Sequence, residues 1–154
     1  MITETQTALK QQLLRECMRL QQEQINNAKS AMNEAQESAN EQQGSMEDKF
    51  ESFREACQIQ RDMFARQMAE FVSGLNTLKK IVVTKKQIMP VLGAVVITDA
   101  QKLFISLSLG QITVNGEQFF ATSGASPLCK AMEGKKEGET FTFRDKKYKI
   151  KELF

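Results

Sequence analysis

The chain has 154 residues, 41% hydrophobic and 26% charged, with 21 Lys and Arg against 19 Asp and Glu and no His. That length allows one ordinary domain or two small ones, and the balance is that of a soluble, folded protein. The absence of His removes the commonest general base and every Ser-His or Cys-His nucleophile pair, and the scattered Cys17, Cys57 and Cys129 make neither a disulfide framework nor a zinc site.

The chain opens with MITETQTALKQQLLREC, which has no apolar run, and no later stretch is apolar enough to span a bilayer, so a cytoplasmic location without membrane contact is expected. Through Lys80 the sequence is rich in Gln, Glu, Ala and Met, has no Pro, and carries ten basic against twelve acidic residues. This composition predicts helix. Leu14, Met18, Ile25, Ala28, Met32, Ala35 and Ala39 follow a heptad rhythm interrupted by Gln21. Phe50, Phe53, Cys57, Phe64, Phe71 and Leu78 repeat it, interrupted by Gln60 and Gln67.

Folding back near Gly44 pairs Ala39 with Phe50, Ala35 with Phe53, Met32 with Cys57, Ile25 with Phe64 and Met18 with Phe71. Such large-against-small pairing avoids cavities and favours an intramolecular antiparallel hairpin over a dimerising coiled coil, so a monomer is expected. Residues 1–80 are assigned to this hairpin, whose arms of roughly 35 residues would reach about 50 Å at 1.5 Å per residue.

The turn reads GSMEDKFES, Gly44 to Ser52. From Glu34 to Glu51 six acids, Glu34, Glu37, Glu41, Glu47, Asp48 and Glu51, face the single base Lys49. Such a concentration is compatible with a hard cation. It equally suits solvated acids at the N-terminus of the second helix, where the dipole favours negative charge.

Residues 81–154 carry eleven basic against seven acidic side chains, both prolines and most of the β-branched residues. Gly93 to Thr98 and KLFISLSLG read as strands, and ITVNGEQFFAT as a hairpin turning at Asn115-Gly116. SPLCKAMEGKK predicts a short helix with Ser126 as N-cap, Pro127 at the first helical position and Gly134 as the stop. GETFTFRDKKYKIKELF predicts two closing strands around Asp145-Lys146. The expected fold class is α+β: a long antiparallel coiled-coil hairpin, then a small antiparallel sheet with one short helix across it.

The segment Ser126 to Ile150 resembles the C-terminal signature of the bacterial Gre transcript cleavage factors, through Ser126, Pro127, Leu128, Ala131, Gly134, Lys135, Lys136, Gly138, Glu139, Tyr148 and Ile150. VLGAVV, Val91 to Val96, resembles that domain's opening strand, and the order of parts agrees. The resemblance implies an FKBP-like C-terminal domain and a protein that regulates transcription elongation as a cofactor of RNA polymerase, not as an independent enzyme. It implies a coiled coil inserted in the polymerase secondary channel, with the C-terminal domain docked at the rim through Ser126, Pro127, Lys130, Lys135 and Lys136. It also implies tip carboxylates, here Asp48 with Glu47, that direct a magnesium ion shared with the polymerase active site so that backtracked RNA is cut. Aligning Gly44 with the family's tip Gly puts Ser45 where the family has Asp and Asp48 where it has Glu, with Lys49 replacing Asn.

Three other readings compete. Prolyl isomerisation would need an aromatic-lined pocket, and the C-terminal part has no Trp and only Tyr148 beyond its phenylalanines. A free-standing coiled-coil adaptor requires no chemistry. Finally, Lys135, Lys136, Arg144, Lys146, Lys147 and Lys149 form a basic cluster, which is either a nucleic-acid contact or the solvated face of a hairpin.

Overall fold

The computed structural model describes residues 1–41 and 47–154, with the side chains of 40–50 outside the description. Helix α1 spans Glu4–Glu41 and α2 spans Glu47–Lys79. The expected turn at Gln43 to Ser45 therefore falls outside the described residues. A reciprocal cap starts α1: Gln6 N–H donates to Thr3 Oγ1 and Thr3 N–H donates to Gln6 Oε1, both at 3.1 Å. This closes two of the first turn's free donors. Neither helix contains Pro, and among the described residues no helix is long and apolar enough to cross a membrane.

Two compact units emerge, one formed by Met1–Leu20 with Asn76–Phe154 and the other by Gln21–Leu75. In the second, the two helices pack antiparallel. Gln21 Nε2 donates to the Phe71 carbonyl at 2.7 Å and Arg61 Nη1 to Gln36 Oε1 at 3.2 Å, so positions rising along α1 meet positions falling along α2. Ile25, Ala28, Ala35, Ala39 and Cys57 are buried, as the heptad reading requires. Phe53, which the heptad places on the seam, is 40% exposed. The buried Gln21 is satisfied by a backbone carbonyl, which removes the cost of an unpaired amide at a seam position.

The first unit is built on a six-stranded sheet. Its strands are β1 Val95–Thr98, β2 Lys102–Ser106, β3 Gly110–Val114, β4 Glu117–Ser123, β5 Thr140–Phe143 and β6 Lys146–Leu153, in the order β3-β4-β2-β1-β6-β5. All neighbours are antiparallel except β2 and β4, which run parallel. The β3–β4 hairpin turns at Asn115 and Gly116, with φ of 53° and 76°, as a type I′ turn demands. The last hairpin turns one residue earlier than expected, at Arg144 and Asp145, whose φ values are 50° and 64°. Helix α3 is short, Pro127–Ala131.

Both faces of this sheet are covered at its central strands, while the outer face of β5 and β6 stays exposed. On one, Ala94, Val96, Leu103, Ile105, Phe141, Ile150 and Leu153 form a core with Cys129 and Met132. On the other lies the beginning of α1: Cys17 Sγ sits 3.7 Å from Ser106 Oγ, and Leu9 lines a cleft with Ile97 and Phe154. Phe104, two residues from Ser106 and so on the same face, is fully buried. The heptad reading chose Leu14 and Met18 here, but the fully buried side chains are Lys10, Leu13 and Cys17. A sheet, not a helix, is the partner of these turns, and it selects a neighbouring stripe. Gly93 is required by the entry to β1, with φ of 89° and Ile81 Cγ2 only 3.0 Å from where a Cβ would stand.

Candidate functional site

The residues assigned to docking cluster on α3 and the turn after it. Ser126 caps the helix as its sequence predicts: its Oγ accepts from Cys129 N–H at 3.3 Å and from the Thr122 hydroxyl at 2.9 Å. Pro127 occupies the first turn, where its missing N–H costs nothing. Cys129 and Met132 face the core while Lys130 is exposed. The following turn is fixed by backbone bonds. Lys135 N–H donates to the Met132 carbonyl at 3.0 Å, and Gly138 N–H to the Ile150 carbonyl at 2.7 Å. Lys135 is half-buried and Lys136 exposed, so Lys130 and Lys136 present their charges to solvent on a rigid support.

The C-terminal hairpin stands beside this helix. Phe141 and Tyr148 are cross-strand partners whose ring centroids lie 5.4 Å apart, and the Arg144 guanidinium sits 5.1 Å from the Phe143 centroid. Lys146, Lys147 and Lys149 are exposed. The tip carboxylates are separate in sequence from all of these. Glu47 and Asp48 begin α2, and their side chains, like that of Ser45, lie outside the described residues. No group of three His, Cys, Asp or Glu side chains placed to hold a metal occurs among the described residues.

No family model matches the sequence, and no curated protein does. Solved structures of two descriptions are among those similar to it. One is the transcription factor Gfh1, at 14% identity and a TM-score of 0.33, covering 88% of this chain and 92% of that one. The other is the GreA factor homolog 1 (Gfh1) protein of Thermus thermophilus, at 15% identity and a TM-score of 0.32, covering 89% and 94%.

Two buried ionisable groups escaped the sequence reading. Lys10 Nζ donates to the Lys85 carbonyl at 2.9 Å, and burial without a carboxylate pulls its pKa from 10.5 to about 8. Cys17, one face-repeat further along α1, is pushed by burial to about 11, against the smaller favourable contact with Ser106. The thiol is thus held neutral and unreactive. Spacing could have revealed the pair, since Lys10, Leu13, Cys17 and Gln21 step by three, four and four.

Proposed function

We propose that this protein binds RNA polymerase as a monomer and regulates transcription elongation in the manner of a Gre-like factor. Residues 1–80 enter the secondary channel as the coiled-coil hairpin, and residues 81–154 dock at its rim. The observation that carries this reading is the Ser126–Ile150 motif. Its Ser caps α3, its Pro starts it, and Lys130 and Lys136 stand exposed on a domain that follows two long antiparallel helices. In this role the chain needs no nucleophile of its own, which agrees with the absence of His.

Asp48, with Glu47 beside it, supplies hard oxygen donors of the kind magnesium takes, for an ion shared with the polymerase. Ser45 favours a second version of the proposal, in which the protein occupies the channel without strong cleavage activity. One carboxylate is absent where the family places two, and magnesium demands near-octahedral geometry. Co-elution with core polymerase at moderate salt tests the common part, and failure to co-elute counts against both versions. A stalled, backtracked elongation complex separates them. Loss of RNA cleavage in Asp48→Asn and in Asp48→Asn/Glu47→Gln, with binding retained, supports a metal-directing tip. Absence of cleavage in wild type and variants alike supports the channel-occupying regulator.

A further inference from the structure

The outer surface of the last hairpin has a pattern that the polymerase reading does not use. In β5 and β6, Thr142 pairs with Lys147 and Thr140 with Lys149, so these four side chains share one face, while Phe141 and Tyr148 turn to the other. All four are exposed. Lys151 follows at the bulge where the register with β1 shifts between Ile97 and Thr98, and it too is exposed. Glu152 then lines the cleft with Leu9 and Ile97, which ends the row. Among the described residues none of the three lysines forms an ion pair, and Asp99 engages Lys149 through its backbone N–H at 3.2 Å.

A solvated hairpin face requires charge but no order. Here Lys147 and Lys149 repeat every second residue, about 6.7 Å apart along a strand. Thr hydroxyls stand directly across from them as neutral donors, and β5 is the outermost strand, with nothing of the sheet beyond it. We propose that this edge is a docking surface for the sugar-phosphate backbone of duplex nucleic acid. Ammonium groups neutralise phosphates as point charges, and threonine hydroxyls bond phosphate oxygens without reading sequence. Duplex is favoured over single strand for two reasons. Its charge density is higher, and the hairpin's aromatic rings are turned inward, so this face offers no platform on which unpaired bases stack.

The inference concerns the free protein and does not rest on polymerase binding, so the two fail separately. The test is fluorescence anisotropy of the full chain with a labelled duplex of about 20 base pairs, the same strand unannealed, and phosphatidylglycerol vesicles as a competing polyanionic surface. Binding is expected in the micromolar range that non-specific contacts reach, with log K falling against log salt at a slope of about −2.7, or roughly 40-fold between 50 and 200 mM. Lys147→Gln/Lys149→Gln/Lys151→Gln should lose about ten-fold or more at low salt and flatten the slope, while the matching triple change to Arg retains binding. Lys80→Gln/Lys85→Gln/Lys86→Gln removes the same charge elsewhere and should bind as wild type. The proposal is overturned if wild type fails to bind duplex, if both Gln triples lose equally, if single strand binds tighter than duplex, or if vesicles bind and duplex does not.

Discussion

Replacing Lys10 with Met should make this protein more stable at neutral pH. The ammonium is fully buried, meets a lone backbone carbonyl, and has its pKa drawn from 10.5 to about 8. At 1.36 kcal/mol per pKa unit, holding Lys10 charged at pH 7 costs the folded state about 3 kcal/mol. Met keeps most of the buried volume but forfeits a charge-assisted hydrogen bond worth about 1.5 kcal/mol, leaving a net gain of about 1 to 2 kcal/mol. The pH dependence fixes the sign. Above pH 8 the folded state releases the proton while the unfolded chain still binds it, so wild-type stability rises by about 1 kcal/mol between pH 7 and 9. Lys10→Met has no such rise. Urea unfolding followed by circular dichroism at pH 7, 8 and 9 measures both effects. A Met variant less stable than wild type at pH 7, or a wild-type stability that does not increase toward pH 9, would refute the reasoning.

Cys17 should act oppositely and later. Its thiol stays protonated to about 11 in the fold but ionises near 9 once unfolded, so stability falls above pH 9, and Cys17→Ala should abolish that fall in alkaline urea titrations. Phe104→Ala empties a fully buried site under α1 and should cost about 3 to 5 kcal/mol in urea midpoint stability. Ser126→Ala removes the α3 cap and the acceptor of the Thr122 hydroxyl, for a loss of about 1 kcal/mol in the same measurement. Under the proposed function, Ser45→Asp should raise cleavage of backtracked RNA by polymerase, read as shortened transcript on a gel, without changing co-elution.

What the residues reveal depends on what each element packs against. Asn115-Gly116 and Ser126-Pro127 act through backbone geometry within a few residues and sit where their local chemistry places them, whereas α3 ends at Ala131 with Met132 as its cap, before the expected stop at Gly134. The seam residues Ile25, Ala28, Ala35 and Ala39 were legible because helix against helix preserves a heptad period. The same rule failed at Leu14 and Met18, because those turns of α1 lie in the unit that holds the sheet, which buries the neighbouring stripe of Lys10, Leu13 and Cys17 instead. The Thr3–Gln6 capping box was present in the letters and marks the helix start at Glu4. The Ser126-Pro127 helix start was legible as a string, and the structure adds that Ser126 also holds Thr122. Lys151 extends the two-residue step of Lys147 and Lys149 to the point where the register with β1 shifts, so the full row was already written in the strand's alternation.

The unit that combines Met1–Leu20 with Asn76–Phe154 imposes an order of events on synthesis. Lys10, Leu13 and Cys17 leave the ribosome long before the strand that covers Cys17, since Ser106 lies 89 positions downstream. β1 also waits, because its pairing is completed by Leu153 and Phe154. The apolar stripe on the first turns of α1 must therefore stay uncovered through most of translation, and closing so long a loop is slow. During that interval the nascent chain exposes surface that other chains can seize, which makes its opening helix a natural client for chaperones.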